Sequence, residues 1–198
     1  MPTYVAFLRA INLGANRKFA KDDIKRVVEA VGFSDVETHI NTGNVRFTTP
    51  MRSRAKIEKQ LEDAFAEDRG FEVPTIVFTT AEVSAIAAEA ASLADENPGL
   101  ARHYIYLLKD ELPAATAAQV EGLASVPTPS PGAADASPGA SGRVGPSGGM
   151  VVRGRAAHAL LGPAYQAGQV DPLNAAKLLG VATNRNRTVI AAIAEKWC

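Results

Sequence analysis

Val36-Glu37-Thr38-His39-Ile40-Asn41-Thr42-Gly43-Asn44-Val45-Arg46-Phe47-Thr48 decides the fold. Val36, Thr38 and Ile40 alternate with Glu37, His39 and Asn41; Thr42-Gly43-Asn44 then supplies turn chemistry, and alternation resumes to Thr48. Period-two patterning on both sides of such a turn predicts a β-hairpin. Upstream, Ile24, Val27, Val28 and Val31 recur at the spacing of one helical stripe, with Asp22 and Asp23 favouring its start and Gly32 its stop. Before that helix, Tyr4-Val5-Ala6-Phe7-Leu8 is an uninterrupted apolar run, the pattern of a strand buried on both faces.

Downstream, Ser53 is placed to cap a helix whose stripe is Ile57, Leu61, Ala64 and Phe65, ending near Gly70, and Val73 to Phe78 follows as a strand. The order β-α-β-β-α-β is that of the ferredoxin-like split βαβ arrangement. Thr79 and Glu82 form a capping-box pattern for a linking helix with Val83, Ile86, Ala87 and Ala90 on its buried stripe.

After Asn97-Pro98-Gly99 a similar order restarts. It comprises a strand over 104–108, a helix from Pro113 to about Leu123, strands at 150–152 and 157–161 joined by a turn at Arg153-Gly154-Arg155, and a helix opened by Asp171-Pro172. A short Val181-Ala182-Thr183 piece then precedes a last helix carrying Ile190, Ile193, Ala194 and Trp197. The expected class is α+β: two ferredoxin-like halves packed as one unit, 1–79 and 100–198, joined by a linking helix and loop over 80–99. Residues 124–149 hold five of the 12 prolines and six of the 16 glycines, with only Asp135 and Arg143 charged. Such a stretch cannot build a core and reads as a disordered surface loop.

The chain has 198 residues, enough for one domain or two small ones, and 21 basic residues balance 21 acidic ones. That balance argues against nucleic acid as partner, since no global charge draws the chain to phosphate backbones. Cys198 is the single cysteine, which excludes an intramolecular disulfide and fits a reducing, cytoplasmic setting. No signal-peptide pattern opens the sequence and no apolar run approaches bilayer length, so neither export nor a membrane is expected. Cys198 reads as an ordinary terminal thiol without a catalytic role.

Arg9 leads into Ala10-Ile11-Asn12-Leu13-Gly14-Ala15-Asn16-Arg17-Lys18, where Asn12, Gly14 and Asn16 permit tight or positive-φ backbone. In a split βαβ fold the first two strands run the same way, so the turn after the second strand lies where the first one finishes. Topology therefore sets Arg9, Asn12, Gly14, Asn16, Arg17 and Lys18 beside Asn41, Thr42, Gly43 and Asn44. That rim suits an anion or a carbonyl-rich ligand. Arg153 and Arg155, in the corresponding hairpin of the second half, and Arg185 and Asn186, at the opening of the last helix, form a secondary basic rim.

Nucleophile-elbow, phosphate-loop and dinucleotide signatures are missing. His39, His103 and His158 are each isolated on expected strands, without the short-range partners of a zinc site, so no metal and no cofactor is assigned. The hairpin strand Val45-Arg46-Phe47-Thr48 lacks the glycine-aromatic pattern of RNA-recognition sheets.

Tyr4 to Gly14, and Phe33 to Asn44 with Asn41-Thr42-Gly43-Asn44-Val45, resemble the bacterial family known as domain of unknown function 1697. Its members open with a strand like Y-V-A-L-L-R-G-I-N-V-G-G and carry a hairpin like Q-S-G-N-V-V-F. The resemblance implies two related α+β subdomains and no established substrate, cofactor or partner. Arg9, Asn12, Gly14, Gly43 and Asn44 match; Ala10, Ala15 and Thr42 depart, as does Gly168 to Leu173, where members often show G-R-S-K-L. The family's closing T-R-N-W-x-T-V segment corresponds to Thr183 to Val189 only with a one-residue slip across Arg185 and Asn186.

The residues point to a small anionic or polar ligand bound between the strand-one loop and the first hairpin, leaving open whether the protein is an enzyme. The competing reading is an interaction module that docks a protein or RNA on its sheet face or basic loops.

Overall fold

The computed structural model describes residues 1–14, 17–123, 148–167 and 171–198. Elements follow in the order β1 (Thr3–Leu8), α1 (Lys21–Ala30), β2 (Ser34–His39), β3 (Asn44–Thr48), α2 (Arg54–Arg69), β4 (Thr75–Thr79) and α3 (Thr80–Glu96). The second half adds β5 (Arg102–Leu108), α4 (Ala114–Glu121), β6 (Gly149–Arg153), β7 (Ala156–Leu161), β8 (Ala182–Asn186) and α5 (Arg187–Trp197). The strands form two four-stranded antiparallel sheets, ordered β2-β3-β1-β4 and β6-β7-β5-β8. Each strand of the second sheet thus takes the place of its counterpart in the first.

Alternation along β1 explains the layering. Tyr4, Ala6 and Leu8 face α1 and α2, packing with Ile24, Val28, Ile57, Leu61 and Phe65. Val5 and Phe7 face the other way, into a layer shared with Ile105 and Leu107 of β5 and with Ala90, Ile190, Ile193 and Trp197 of α3 and α5. The opposite face of β5, carrying Tyr106 and Leu108, is covered by Val120 of α4 and by Leu173 and Leu179. β1 from Tyr4 to Leu8 and β5 from Ile105 to Leu108 are therefore buried on both faces.

The outer edge of β4 is closed by side chains. Glu62 and Glu58, one helical turn apart on α2, accept from the backbone N–H groups of Thr75 (2.8 Å) and Val77 (2.9 Å). The two-residue strand step and the four-residue helix step have nearly the same length, ~6–7 Å, so one helix face can cap successive outward N–H groups. Such an edge would otherwise invite pairing with another chain.

Helix termini follow the local chemistry in part. Thr79 and Glu82 form the reciprocal capping box, and Gly70 ends α2 in the left-handed conformation. Ser53 is the N-cap of α2 but makes no side-chain capping bond.

The helix expected from Asp171-Pro172 is instead a series of turns. The Asp171 carboxylate does accept from Ala175 N (2.8 Å) and Ala176 N (2.9 Å), but Asp171 and Asn174 both lie at positive φ, which breaks a right-handed helix. Residues 182–186, expected to lead into the last helix, are a strand paired with β5 over Tyr104↔Asn186 to Leu108↔Ala182. The alternation is present, but Thr183 and Arg185 occupy its inward positions, so no apolar pattern announces it. Most of the proline- and glycine-rich stretch, residues 124–147, lies outside the described residues; Gly148 leads into β6 and Gly149 is its first residue. Among the described residues no helix is long and apolar enough to cross a membrane.

Candidate functional site

The strand-one loop and the first hairpin lie side by side. Asn12 joins them: its Nδ2 donates to Asn41 O (2.6 Å) and to Phe19 O (3.1 Å), while its Oδ1 accepts from Phe19 N (2.9 Å). Asn12 sits at φ 55° and Ala10 at φ 59°, left-handed conformations fixed by these bonds and by Arg17, whose Nε donates to Ala10 O (2.6 Å) and whose Nη2 donates to Glu72 O (2.5 Å). The Arg17 guanidinium also lies over the Phe71 ring. Gly14 takes φ 68°, while Asn16 lies outside the described residues. Arg9, Asn41, Thr42 and Lys18 are exposed.

Gly43 and Asn44 are not at the surface. Gly43 adopts φ 76°, and a Cβ there would stand 2.7 Å from Leu8 Cβ and 2.8 Å from Ile11 Cδ1, so the hairpin can press onto the end of β1 only as glycine. Leu8 N donates to Gly43 O (2.8 Å) at that contact. Asn44 is fully buried, its Nδ2 donating to His39 O (3.0 Å) and Thr42 Oγ1 (2.9 Å).

Its Oδ1 accepts from Arg185, which reaches in from β8 of the other half. Nε of Arg185 donates to Asn44 Oδ1 (2.6 Å), Nη2 to Thr42 O (2.6 Å) and Leu8 O (3.1 Å), and Nη1 to Thr183 Oγ1 (2.9 Å) and Asn184 O (2.7 Å). Every one of these acceptors is neutral. Burial pushes the guanidinium down to about 10, which still leaves it charged at neutral pH. The sequence placed Arg185 at the start of a helix on a surface rim; it is an inward strand residue, because the opposing half supplies the oxygens that replace its hydration.

The other rim residues divide similarly. Arg155 is half-buried, its Nη1 donating to Val77 O of the first half (3.0 Å) and its guanidinium lying 4.1 Å from the Phe78 ring centroid, while its Nε donates to Lys109 O of its own half (3.2 Å). Arg153 stays exposed and pairs with Glu89 (3.2 Å) and Glu121 (3.4 Å). Asn186 caps α5, accepting from Val189 N (2.8 Å). Two arginines expected on a surface thus stitch the halves together.

His103 and His158, read as isolated, are neighbours. They stand on one face of the β5–β7 pair, where Ile105 opposes His158, and His103 Nε2 lies 3.1 Å from His158 Nδ1. Both are buried, and His103 Nδ1 and His158 Nε2 have no hydrogen-bond partner. Burial lowers His103 to about 4 and His158 to about 3, with the nearby Arg187 and the neighbouring ring acting in the same direction. Their spacing of 55 residues gave no signal in the sequence. No cluster of three or more metal-ligating side chains occurs among the described residues.

Comparison with solved structures places the chain beside a conserved bacterial protein, SP0830 from Streptococcus pneumoniae, with a TM-score of 0.66 and 20% identity, covering 99% of this chain and 98% of that one. At that identity the likeness is one of fold. None of the curated proteins compared matches the chain. The model of the DUF1697 family, described as a protein of unknown function, matches residues 1–129, the part that contains β1, the Asn12 loop and the Gly43-Asn44 hairpin. The chain belongs to the DUF1697 family.

Proposed function

We propose that the protein binds a small anionic ligand at the tip formed by the Arg9 to Lys18 loop and the Asn41 to Asn44 hairpin. We read its two sheets as ferredoxin-like halves, 1–79 and 100–198, linked by 80–99; the shared strand order supports this reading. In that frame the tip is where two loops of the first half converge.

The observation that carries the proposal is the Arg185 guanidinium, 8% exposed and held by neutral oxygens alone. Among the described residues no carboxylate pairs with it, and the segments around it add Arg9, Arg17 and Lys18 with no acidic residue. At an effective dielectric of ~20, an anion ~8 Å from such a charge gains ~2 kcal/mol. Arg9 is the exposed cation that would meet the ligand; Asn41 and Thr42 are the exposed polar partners. Asn12, Gly43 and Asn44 act from behind, holding the two segments in register.

A panel of small organic and inorganic anions, scored by thermal shift, tests this. A hit whose shift disappears in Arg9→Ala, with the ligand-free melting temperature unchanged, is the expected result. Hits that stabilise the wild type and Arg9→Ala equally would refute the tip as the site.

A further inference from the structure

We propose that the outer edge of β8 is a docking strip for an extended acidic segment of a partner protein, which adds to the second sheet as a further strand beside β8.

Hydrogen-bond parity defines the strip. Lys109 N donates to Val181 O (2.9 Å), and the register sets Thr183 opposite Leu107 and Arg185 opposite Ile105, so Thr183 and Arg185 turn their main-chain groups toward β5. Ala182, Asn184 and Asn186 turn theirs outward, and their N–H groups have no partner among the described residues. Asn184 and Asn186 are exposed and Val181 is 41% exposed, so the edge is open to solvent.

β4 holds the same place in the first sheet, and its edge is closed. Its outward N–H groups, those of Thr75, Val77 and Thr79, each donate to a carboxylate, of Glu62 (2.8 Å), Glu58 (2.9 Å) and Glu82 (2.7 Å). The helix that brings Glu58 and Glu62 has no counterpart before β8: residues 171–179 form turns, and the Asp171 carboxylate is occupied by Ala175 and Ala176. The remaining edges carry other devices, since β2 is interrupted by a register shift between Ser34 and Glu37 and Glu121 takes the Val152 N–H of β6 (2.9 Å). An edge left open where its counterpart is capped at every outward N–H is suited to strand addition.

Charge selects the occupant. The segments that meet around Arg185, residues 1–21, 38–57 and 172–194, contain no aspartate or glutamate, while Arg9, Lys18, Lys177 and Arg187 are exposed. The strip is also rich in donors, because Asn184 O already accepts from Arg185 Nη1 (2.7 Å). Pairing with a second copy of β8 would set arginines against arginines, whereas a segment with glutamates or aspartates beside its main-chain oxygens satisfies both the donors and the field. The strip uses main-chain groups of β8 and stands whether or not the tip binds a small anion.

The test is an array of heptapeptides with glutamate at alternate positions and varied residues between, titrated into the full chain by fluorescence anisotropy and followed by 15N shift mapping. Saturable binding is expected, with the largest amide shifts at Ala182, Asn184 and Asn186. Ala182→Pro deletes an outward N–H without removing a bond to β5, and affinity should fall there at least ~10-fold. With the wild-type chain, two versions of the best peptide, N-methylated at odd or at even positions, should differ: one phase binds and the other does not, because only alternate amides of an added strand face β8. Small-anion shifts at the tip should persist in Ala182→Pro and vanish in Arg9→Ala, which separates the two sites. No binding by any peptide, equal binding by both N-methylated versions, or unchanged affinity in Ala182→Pro would overturn strand addition. Equal affinity for peptides with lysine in place of glutamate, a dimer in light scattering that Ala182→Pro dissolves, or single-stranded RNA displacing the peptides from β8 would overturn the acidic partner, the last two in favour of a second copy or of nucleic acid.

Discussion

Arg185 and Asn44 lie 141 residues apart in the chain and are joined by a 2.6 Å hydrogen bond from Nε to Oδ1, with Asn44 fully buried. One side chain of the second half thereby finishes the hairpin of the first. Replacing it with Arg185→Met leaves Asn44 Oδ1 and the carbonyls of Leu8 and Thr42 without their donor. At ~1–3 kcal/mol for each buried acceptor left unpaired, not fully additive, a loss of ~3 kcal/mol or more is expected in urea unfolding. Arg185→Lys keeps the charge without the planar fork and should fall between. An unchanged midpoint for Arg185→Met would show that the Arg185 hydrogen bonds add nothing to stability.

Gly43→Ala should be costlier than Gly32→Ala, although both glycines have positive φ. At Gly32 a Cβ meets nothing within 4 Å, whereas at Gly43 it meets Leu8 and Ile11 below 3 Å. Strain alone is worth ~1 kcal/mol, and the clash adds ~1–3 kcal/mol. Equal melting temperatures for the two variants would contradict this hairpin geometry.

Glu58→Leu removes the acceptor for Val77 N–H and the carboxylate 3.9 Å from Arg155 Nη2. Burial raises the Glu58 carboxyl above its usual range, while the Val77 N–H bond opposes that shift. A loss of ~2 kcal/mol is expected, together with faster amide exchange at Val77, because the β4 edge reopens. Glu58→Gln, which retains an acceptor oxygen, should protect the Val77 amide nearly as well as wild type.

The histidine pair makes stability depend on pH. Unfolded histidines titrate near 6.5, while the folded values are about 4 for His103 and about 3 for His158. Between these limits the unfolded chain binds more protons, so stability is full above ~6.5 and falls as pH drops toward 3. Each unit of difference is worth ~1.4 kcal/mol. Urea midpoints from pH 7.5 to 4 should decline more steeply for wild type than for the His103→Gln, His158→Leu double variant; parallel declines would show that the pair does not titrate this way.

Legibility in the sequence tracked the range of the interaction. The stripe of Ile24, Val27 and Val28, the Thr79-Glu82 box and the alternation around Thr42 all depend on neighbours within a few residues, and each marks its element. The strand at 182–186 and the turns after Asp171 escaped the same reasoning. In the first a threonine and an arginine take the inward positions that apolar residues ordinarily mark; in the second, two positive-φ residues break a pattern that looks helical. The side-by-side loop and hairpin followed from chain order, but the burial of Asn44 did not.

By itself the sequence determined the element order of the first half, the two-sided burial of β1 and the convergence of the Asn12 and Asn41 segments, because periodicity and turn chemistry are properties of adjacent residues. Only tertiary structure decided which polar groups remain for a ligand. Arg155 and Arg185 have the composition of surface residues, and they became internal anchors because the facing half offers carbonyl, amide and aromatic partners that compensate for lost water. His103 and His158 were likewise brought together by strand pairing, which no local pattern encodes.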